Sequence, residues 1–193
     1  DKTPTPPEQT SGKVVYGRVA GVAQGSQWRS QLVDNSGASS LSIPPSGEAF
    51  SYGLSLLNQG TLGTEQIQSA PLLVRYPDTA YRAHGNYGIQ YSLSLPLQNN
   101  SDRDRTVTVS LQTPLKEDKL SKGGLRFFSS PAKQVFFRGT VRLRYNDDQN
   151  LPRTSYVHLV QTRGKQGEPL ITLQMKPGDR RLVQLDFLYP PDA

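Results

Sequence analysis

Nucleophilic catalysis needs a base beside the nucleophile, and this chain offers two histidines for that role, His84 and His158. His84 lies in Tyr81 to Tyr87 (YRAHGNY), a loop entering a strand. His158 shares a strand face with Tyr156 and Val160, where alternation half-buries it. No serine sits in a Gly-x-Ser-x-Gly elbow, and the absence of cysteine removes thiol nucleophiles, disulfides and cysteine-ligated metals. Packing or hydrogen bonding is the better reading of both histidines.

Carboxylates are paired at Asp102 and Asp104 and at Asp147-Asp148. Adjacent strand residues point to opposite faces, and both pairs fall in turn signals, where aspartate stabilises a turn by bonding its own backbone. A calcium site from Asn146, Asp147, Asp148 and Asn150 would need alternating oxygen ligands, a spacing absent here, so Asp147 and Asp148 are only the weaker, metal alternative. A glycan-active hydrolase would need the fold to bring two of Asp102, Asp104, Glu117, Asp148 and Asp186 to about 5 to 10 Å.

The charge pattern is sharper. Residues 1–80 carry a net −1 and residues 81–193 a net +7, so attraction to anionic partners belongs to the second part. There Arg138, Arg142 and Arg144 share one face of a strand and could present a stripe to an acidic polysaccharide, a lipid headgroup or a nucleic acid. The plainer reading is a wetted face with cross-strand partners such as Asp186. Nucleic acid is disfavoured, since no aromatic-basic motif for base stacking accompanies the arginines. Trp28 and Tyr76, Tyr81 and Tyr87 could form a sugar-stacking platform, although core packing is the commoner use of such rings.

These side chains have to be positioned by strands. Ile89, Tyr91, Leu93, Leu95 and Leu97 alternate with polar residues, as do Val107, Val109 and Leu111, then Val141, Leu143 and Tyr145, then Val183, Leu185, Phe187 and Tyr189. Period two with one apolar face predicts antiparallel sheet, with Ile89, Val109, Leu143, Leu185 and Phe187 in the core. Turn signals then predict three hairpins: Gly88 to Leu97 with Arg105 to Gln112, Val135 to Tyr145 with Thr154 to Thr162, and Pro169 to Met175 with Arg180 to Tyr189. The last closes on Pro177-Gly178, a type II signature. Leu115 to Leu125 is the best helical candidate, cut short by Gly123-Gly124.

Earlier in the chain, Lys13 to Val22, Phe50 to Leu57 and Pro71 to Tyr76 are candidate strands, Thr64 to Ala70 could form a helical turn, and Gln24 to Ser46 reads as loop. The expected architecture is all-β: an antiparallel β-sandwich with one short helix and mostly hairpin connections. A Pro/Thr-rich arm spans 1–12, a less regular β segment 13–80 packs on or joins the sandwich, and the sandwich occupies 81–193. At 193 residues the chain can bury roughly two-thirds of its unfolded surface, so core size is not limiting. No run approaches the ~20 apolar residues of a transmembrane span, and Asp1 in place of an initiator methionine suggests a fragment or processed form.

Pro71 to Gly88 (PLLVRYPDTAYRAHGNYG), Gly88 to Gln98 (GIQYSLSLPLQ), Thr113 to Phe128 (TPLKEDKLSKGGLRFF), Phe136 to Tyr145 (FFRGTVRLRY) and Phe187 to Ala193 (FLYPPDA) together resemble an exported cyanobacterial family catalogued as domain of unknown function thirty-three seventy. The resemblance implies a cyanobacterial source, export to the periplasm or cell exterior, and a chain that continues past Ala193. It implies no activity, cofactor or functional residue. The sequence therefore points to a non-catalytic secreted or envelope-associated β-module that binds or assembles, with an acidic polysaccharide or another envelope protein as partner. No cofactor is called for, and the oligomeric state is left open.

Overall fold

Alternation in the sequence becomes alternation in burial. In the computed structural model, which describes residues 21–22, 27–54, 69–71, 74–75, 82–84, 90–115 and 124–189, the strand Gln90–Gln98 buries every second side chain, from Tyr91 to Leu97. Twelve strands are described in chain order: β1 Gly21–Val22, β2 Gln27–Gln31, β3 Leu41–Ser42, β4 Ser69–Pro71, β5 Val74–Arg75, β6 Arg82–His84, β7 Gln90–Gln98, β8 Arg105–Ser110, β9 Val135–Asn146, β10 Pro152–Thr162, β11 Pro169–Met175 and β12 Arg180–Leu188. Among the described residues there is no helix, so the fold is all-β. Most of the expected helix, residues 116–123, lies outside them, as does the 1–12 arm.

The large sheet runs β10-β9-β12-β7-β2, with β3 also on β7. A second ladder, β8 with β11, supplies Ile171, Leu173 and Met175 to the hydrophobic cluster built by Leu93, Leu95 and Leu97 of β7, Val141 and Leu143 of β9, and Val183, Leu185 and Phe187 of β12. The result is a two-layer β-sandwich. Two further short ladders pair β1 with β5 and β4 with β6. Leu143, Leu185 and Phe187 are buried as expected, and Val109 packs against the same cluster, while Ile89 lies outside the described residues. Tyr91 stacks on Phe187 with ring centroids 5.0 Å apart.

Of the three expected hairpins, the β9–β10 pair forms as read, in register from Asn146 opposite Pro152. The other two do not. β7 pairs with β12, β2 and β3, and β8 pairs with β11, so both Asn99 to Asp104 and Lys176 to Asp179 cross from one sheet to the other. The Pro177-Gly178 turn does form, with Asp179 N–H bonded to Lys176 C=O at 3.0 Å and Gly178 at φ 78°. It turns the chain between layers rather than along one.

The side chain of Asn99, fully buried, holds both crossings together. Its Nδ2 donates to Arg103 C=O (2.8 Å) and to Met175 C=O (2.9 Å), while Oδ1 accepts from the N–H and hydroxyl of Ser101. Its own N–H bonds Asp179 C=O, and its C=O accepts from Gly178. Every polar group of a buried residue is thus satisfied, and each bond spans a corner.

The stretch Gln24 to Ser46, expected as loop, contains β2 and β3, and both run parallel to β7. The sheet is therefore mixed rather than purely antiparallel. With Trp28 its one large apolar residue, β2 shows no alternation of apolar side chains, and tertiary pairing decides its conformation. Phe50 to Leu54, the described part of another expected strand, is irregular. The described part of the Thr64 to Ala70 stretch, Ser69 and Ala70, is strand instead of helical turn.

Candidate functional site

The face of the large sheet turned away from the core gathers the chain's unusual charge. Direct register places Tyr156, Arg142, Asp186, Ser92 and Arg29 in one row across β10, β9, β12, β7 and β2. The next row is Thr154, Arg144, Gln184, Ser94 and Gln31. Arg138 and His158 lie toward one end of the face, and Arg180, opposite Gln98, lies at the other. The outward positions of the described strands thus hold Arg29, Arg138, Arg142, Arg144 and Arg180 against the single carboxylate of Asp186. Gln, Ser and Thr side chains share the remainder with the exposed Tyr156, Val160, Leu182 and Leu188.

Asp186 is the hub. Its Oδ2 lies 3.1 Å from Arg142 Nη2 and 3.2 Å from Arg144 Nη2, and its side chain is only 13% exposed. Burial alone would raise its pKa, but hydrogen bonds from Ser92 and Arg142, with the charges of Arg142 and Arg144, outweigh it and hold the carboxyl below the ordinary value. Tyr156 stands opposite Arg142 on β10, so the row Ser92, Asp186, Arg142 and Tyr156 is polar along its length. The expected cross-strand partner of the stripe is therefore real. One carboxylate shared by two arginines leaves a positive charge in excess, and Arg29, Arg138 and Arg180 have no ion-pair or hydrogen-bond partner among the described residues.

Arg138, Arg142 and Arg144 share a face as predicted, but only Arg138 is free. Arg29, Arg180 and Tyr156 were not singled out by the sequence reading. Arg29 and Arg180 follow from alternation against Trp28 and Arg181 only once β2 and β12 are known to flank β7. His158, expected half-buried, is exposed: β10 turns Ser155, Val157 and Leu159 inward, and its outward face is wetted. The His158 ring meets Thr140 Oγ1 at 3.3 Å.

The other candidates are taken up by structure. Asp147 Oδ1 accepts from Gln149 and Leu151 N–H, and Oδ2 meets Arg153 Nε at 2.6 Å. These bonds, the Leu151 N–H foremost, draw its pKa down. Asp148 Oδ1 accepts from Gln174 N–H and ties the β9–β10 tip to β11, while Asn146 Nδ2 donates to Asn150 Oδ1. Both Asp147 oxygens and Asn150 Oδ1 thus serve the turn, where Asn150 adopts φ 61°. Trp28 points inward against the core and donates from Nε1 to Tyr52 Oη at 2.7 Å, a packing role. Tyr76, Tyr81, Tyr87 and Glu117 lie outside the described residues, as does the side chain of His84. Asp186 stands on the open face, Asp148 at the β9–β10 tip against Gln174, and Asp102 beside Arg103 in the corner between β7 and β8.

Beside β2 and β3 an open groove of about 370 Å³ is lined by Leu32, Leu41, Phe50 and Tyr52 among others. It is broad and shallow, and would leave much of a small ligand in water. No helix among the described residues is long and apolar enough to cross a membrane.

Comparison with curated proteins and with solved structures yields no match. A family model described as a protein of unknown function (DUF3370) matches residues 1–193, and the chain belongs to that family.

Proposed function

We propose that the chain is a non-catalytic binding module acting in the cell envelope or outside the cell, and that the outer face of its large sheet binds an acidic polysaccharide. The observation that carries this reading is the charge of that face: five arginines and one carboxylate, the carboxylate already shared by two of the five. A face five strands wide suits an extended polymer better than a small molecule, because a polymer can meet several side chains at once. The Gln, Ser and Thr side chains between the arginines supply donors and acceptors for hydroxyl groups. Tyr156, with a large exposed ring beside Arg142, offers an apolar surface to a sugar face. Export and an envelope location rest on the Pro/Thr-rich opening segment and on the family likeness of the motifs.

The test is retention on immobilised sulfated or uronic-acid glycan across a salt series. Exposed charges act through a screened field, so retention should fall steeply between low and high salt. Arg29→Ser, Arg138→Ser and Arg180→Ser together should weaken it further without touching the Asp186 pairs. Retention on neutral glycan equal to that on acidic glycan, or unchanged in the triple variant, would sink the proposal.

A further inference from the structure

We propose that β10 is a self-pairing edge, and that two copies of the chain join through it in antiparallel register about a twofold axis at Tyr156. β10 is the last strand of the large sheet and pairs only with β9 among the described residues. The bond from Asp147 N–H to Leu151 C=O at the hairpin tip sets the phase of the ladder. In antiparallel pairing hydrogen-bonded and non-bonded pairs alternate, so the odd residues from Arg153 to Gln161 bond β9. The N–H and C=O groups of Thr154, Tyr156, His158 and Val160 therefore point away from the sheet.

This row has two defects. Pro152 has no N–H to give. The C=O of Val160 is already occupied by Lys165 Nζ at 3.2 Å. When a second copy is laid antiparallel with Tyr156 opposite Tyr156, Thr154 falls opposite His158 and Pro152 opposite Val160 of the other copy. The missing donor then faces the occupied acceptor, at both ends of the ladder. Each of the three central pairs can form two hydrogen bonds and each end pair one more. Moving the axis to Val157 would set the free N–H of Thr154 against the occupied Val160 carbonyl. Moving it to Ser155 would set Pro152 against the free carbonyl of His158. Only the Tyr156 register leaves nothing unmatched, and that self-complementarity makes a second copy the occupant.

The side chains agree. Tyr156 is 67% exposed, and Val160 and Tyr156 are among the exposed large apolar residues of the outer face. On the inner side Val157 and Leu159 are half-buried against the core, so a neighbouring strand would complete their cover. Arg153, the one charged residue of β10, is neutralised by Asp147. The protections this edge carries, Pro152 and the Lys165 ammonium on Val160, stand at its two ends and leave Thr154, Tyr156 and His158 open between them. The opposite edge of the sheet is made of the short strands β2 and β3, of five and two residues. The inference is independent of what the arginine face binds.

The full chain should show a concentration-dependent monomer–dimer equilibrium by sedimentation, its mass rising from 21.3 kDa toward twice that value. Tyr156→Pro removes the donor at the axis but no bond to β9, and should weaken association roughly tenfold or more. Because the chain contains no cysteine, Tyr156→Cys reports register directly. Oxidation should cross-link it, since opposite residues of a bonded pair lie about 5.5 Å apart at Cα. Thr154→Cys alone should stay uncross-linked, while Thr154→Cys mixed with His158→Cys should cross-link. A monomer at every concentration, or cross-linking at 154 that matches 156, would overturn the proposal. Should Tyr156→Pro fail to fold, the cysteine pattern decides alone.

Discussion

Two polar hubs of this molecule, Asn99 and Asp186, have different partners and do opposite work: one is fully buried among backbone groups, the other is 13% exposed beneath two arginines. Asn99 is sealed at the end of the sandwich, bonded only to backbone and to one serine, and each of its bonds joins a sheet crossing. Asp186 lies on the open face, bonded to arginines whose side chains are 40% and 43% exposed. A neutral amide suits the first place because it supplies two donors and two acceptors with no charge to desolvate. A carboxylate suits the second because water and two guanidinium groups share the cost of keeping it ionised. Asn99 thus determines which sheet each strand joins, and Asp186 sets how much of the arginine charge reaches solvent. Stability should follow the first and anion binding the second.

The strongest way to break this contrast is at Asn99. Asn99→Ala takes the amide donor from the Met175 carbonyl and the acceptor from the Ser101 N–H, and leaves the Arg103 carbonyl with the Ser101 hydroxyl alone. We expect a loss on the order of 3 kcal/mol, visible as a fall in melting temperature of roughly 10 °C. Asn99→Asp should cost more at neutral pH, because a carboxylate would face two carbonyl oxygens, and should recover partly in acid. Thermal denaturation across pH checks both. An Asn99→Ala variant as stable as the parent would mean that the corners stand without the hub.

The same corners explain what the sequence hid. Period-two alternation made the strands, their inward residues and the arginine stripe legible, because side-chain direction is a local property of an extended chain. Which strand pairs with which is not local. Asn99-Asn100-Ser101-Asp102 and Pro177-Gly178 are good turn sequences, and the turn at Pro177-Gly178 does form. Nothing in four residues distinguishes a turn within a sheet from one between sheets. The bond from Asn99 to Met175, residues 76 positions apart, makes that distinction, and it exists only in the folded chain. β2 was missed for a related reason: Gln-Trp-Arg-Ser-Gln carries one apolar residue, and pairing with β7 makes it a strand. The arginine face was accordingly half visible, with Arg138, Arg142 and Arg144 lying on one strand. Arg29 and Arg180 joined it only through strand order.

Asp186 gives a second, smaller effect with the two properties moving in opposite directions. Asp186→Asn keeps shape and removes the charge that two arginines share, so we expect about 1 kcal/mol of lost stability. Retention on acidic glycan should rise at the same time, since the face gains a full positive charge. The folded carboxyl titrates below its unfolded value of about 3.9, so its contribution is fully present above that pH and is lost as pH falls through the folded value. Asp34 and Asp147, whose pKa values are also lowered, destabilise both proteins alike in acid. The stability difference between parent and Asp186→Asn should therefore be constant from neutral pH to about pH 4 and shrink below it. A difference that grew in acid would remove Asp186 from its place as an ionised hub.

The smallest change in stability, and the cleanest test of the division, is expected at Arg138. Its side chain has no bonded partner among the described residues and stands on the outward face opposite Val160. Arg138→Ser should leave the melting temperature within error, since substitutions at unpartnered surface sites move stability by roughly 0.5 kcal/mol or less. Its effect on retention should nonetheless equal or exceed that of Arg144→Ser, because Arg144 already spends part of its charge on Asp186. The two serine variants remove the same formal charge from one face of one strand. Equal melting temperatures would deny Asp186 any structural hold on Arg144, and weaker retention in Arg144→Ser than in Arg138→Ser would show that paired and free arginines contribute to binding in the reverse order.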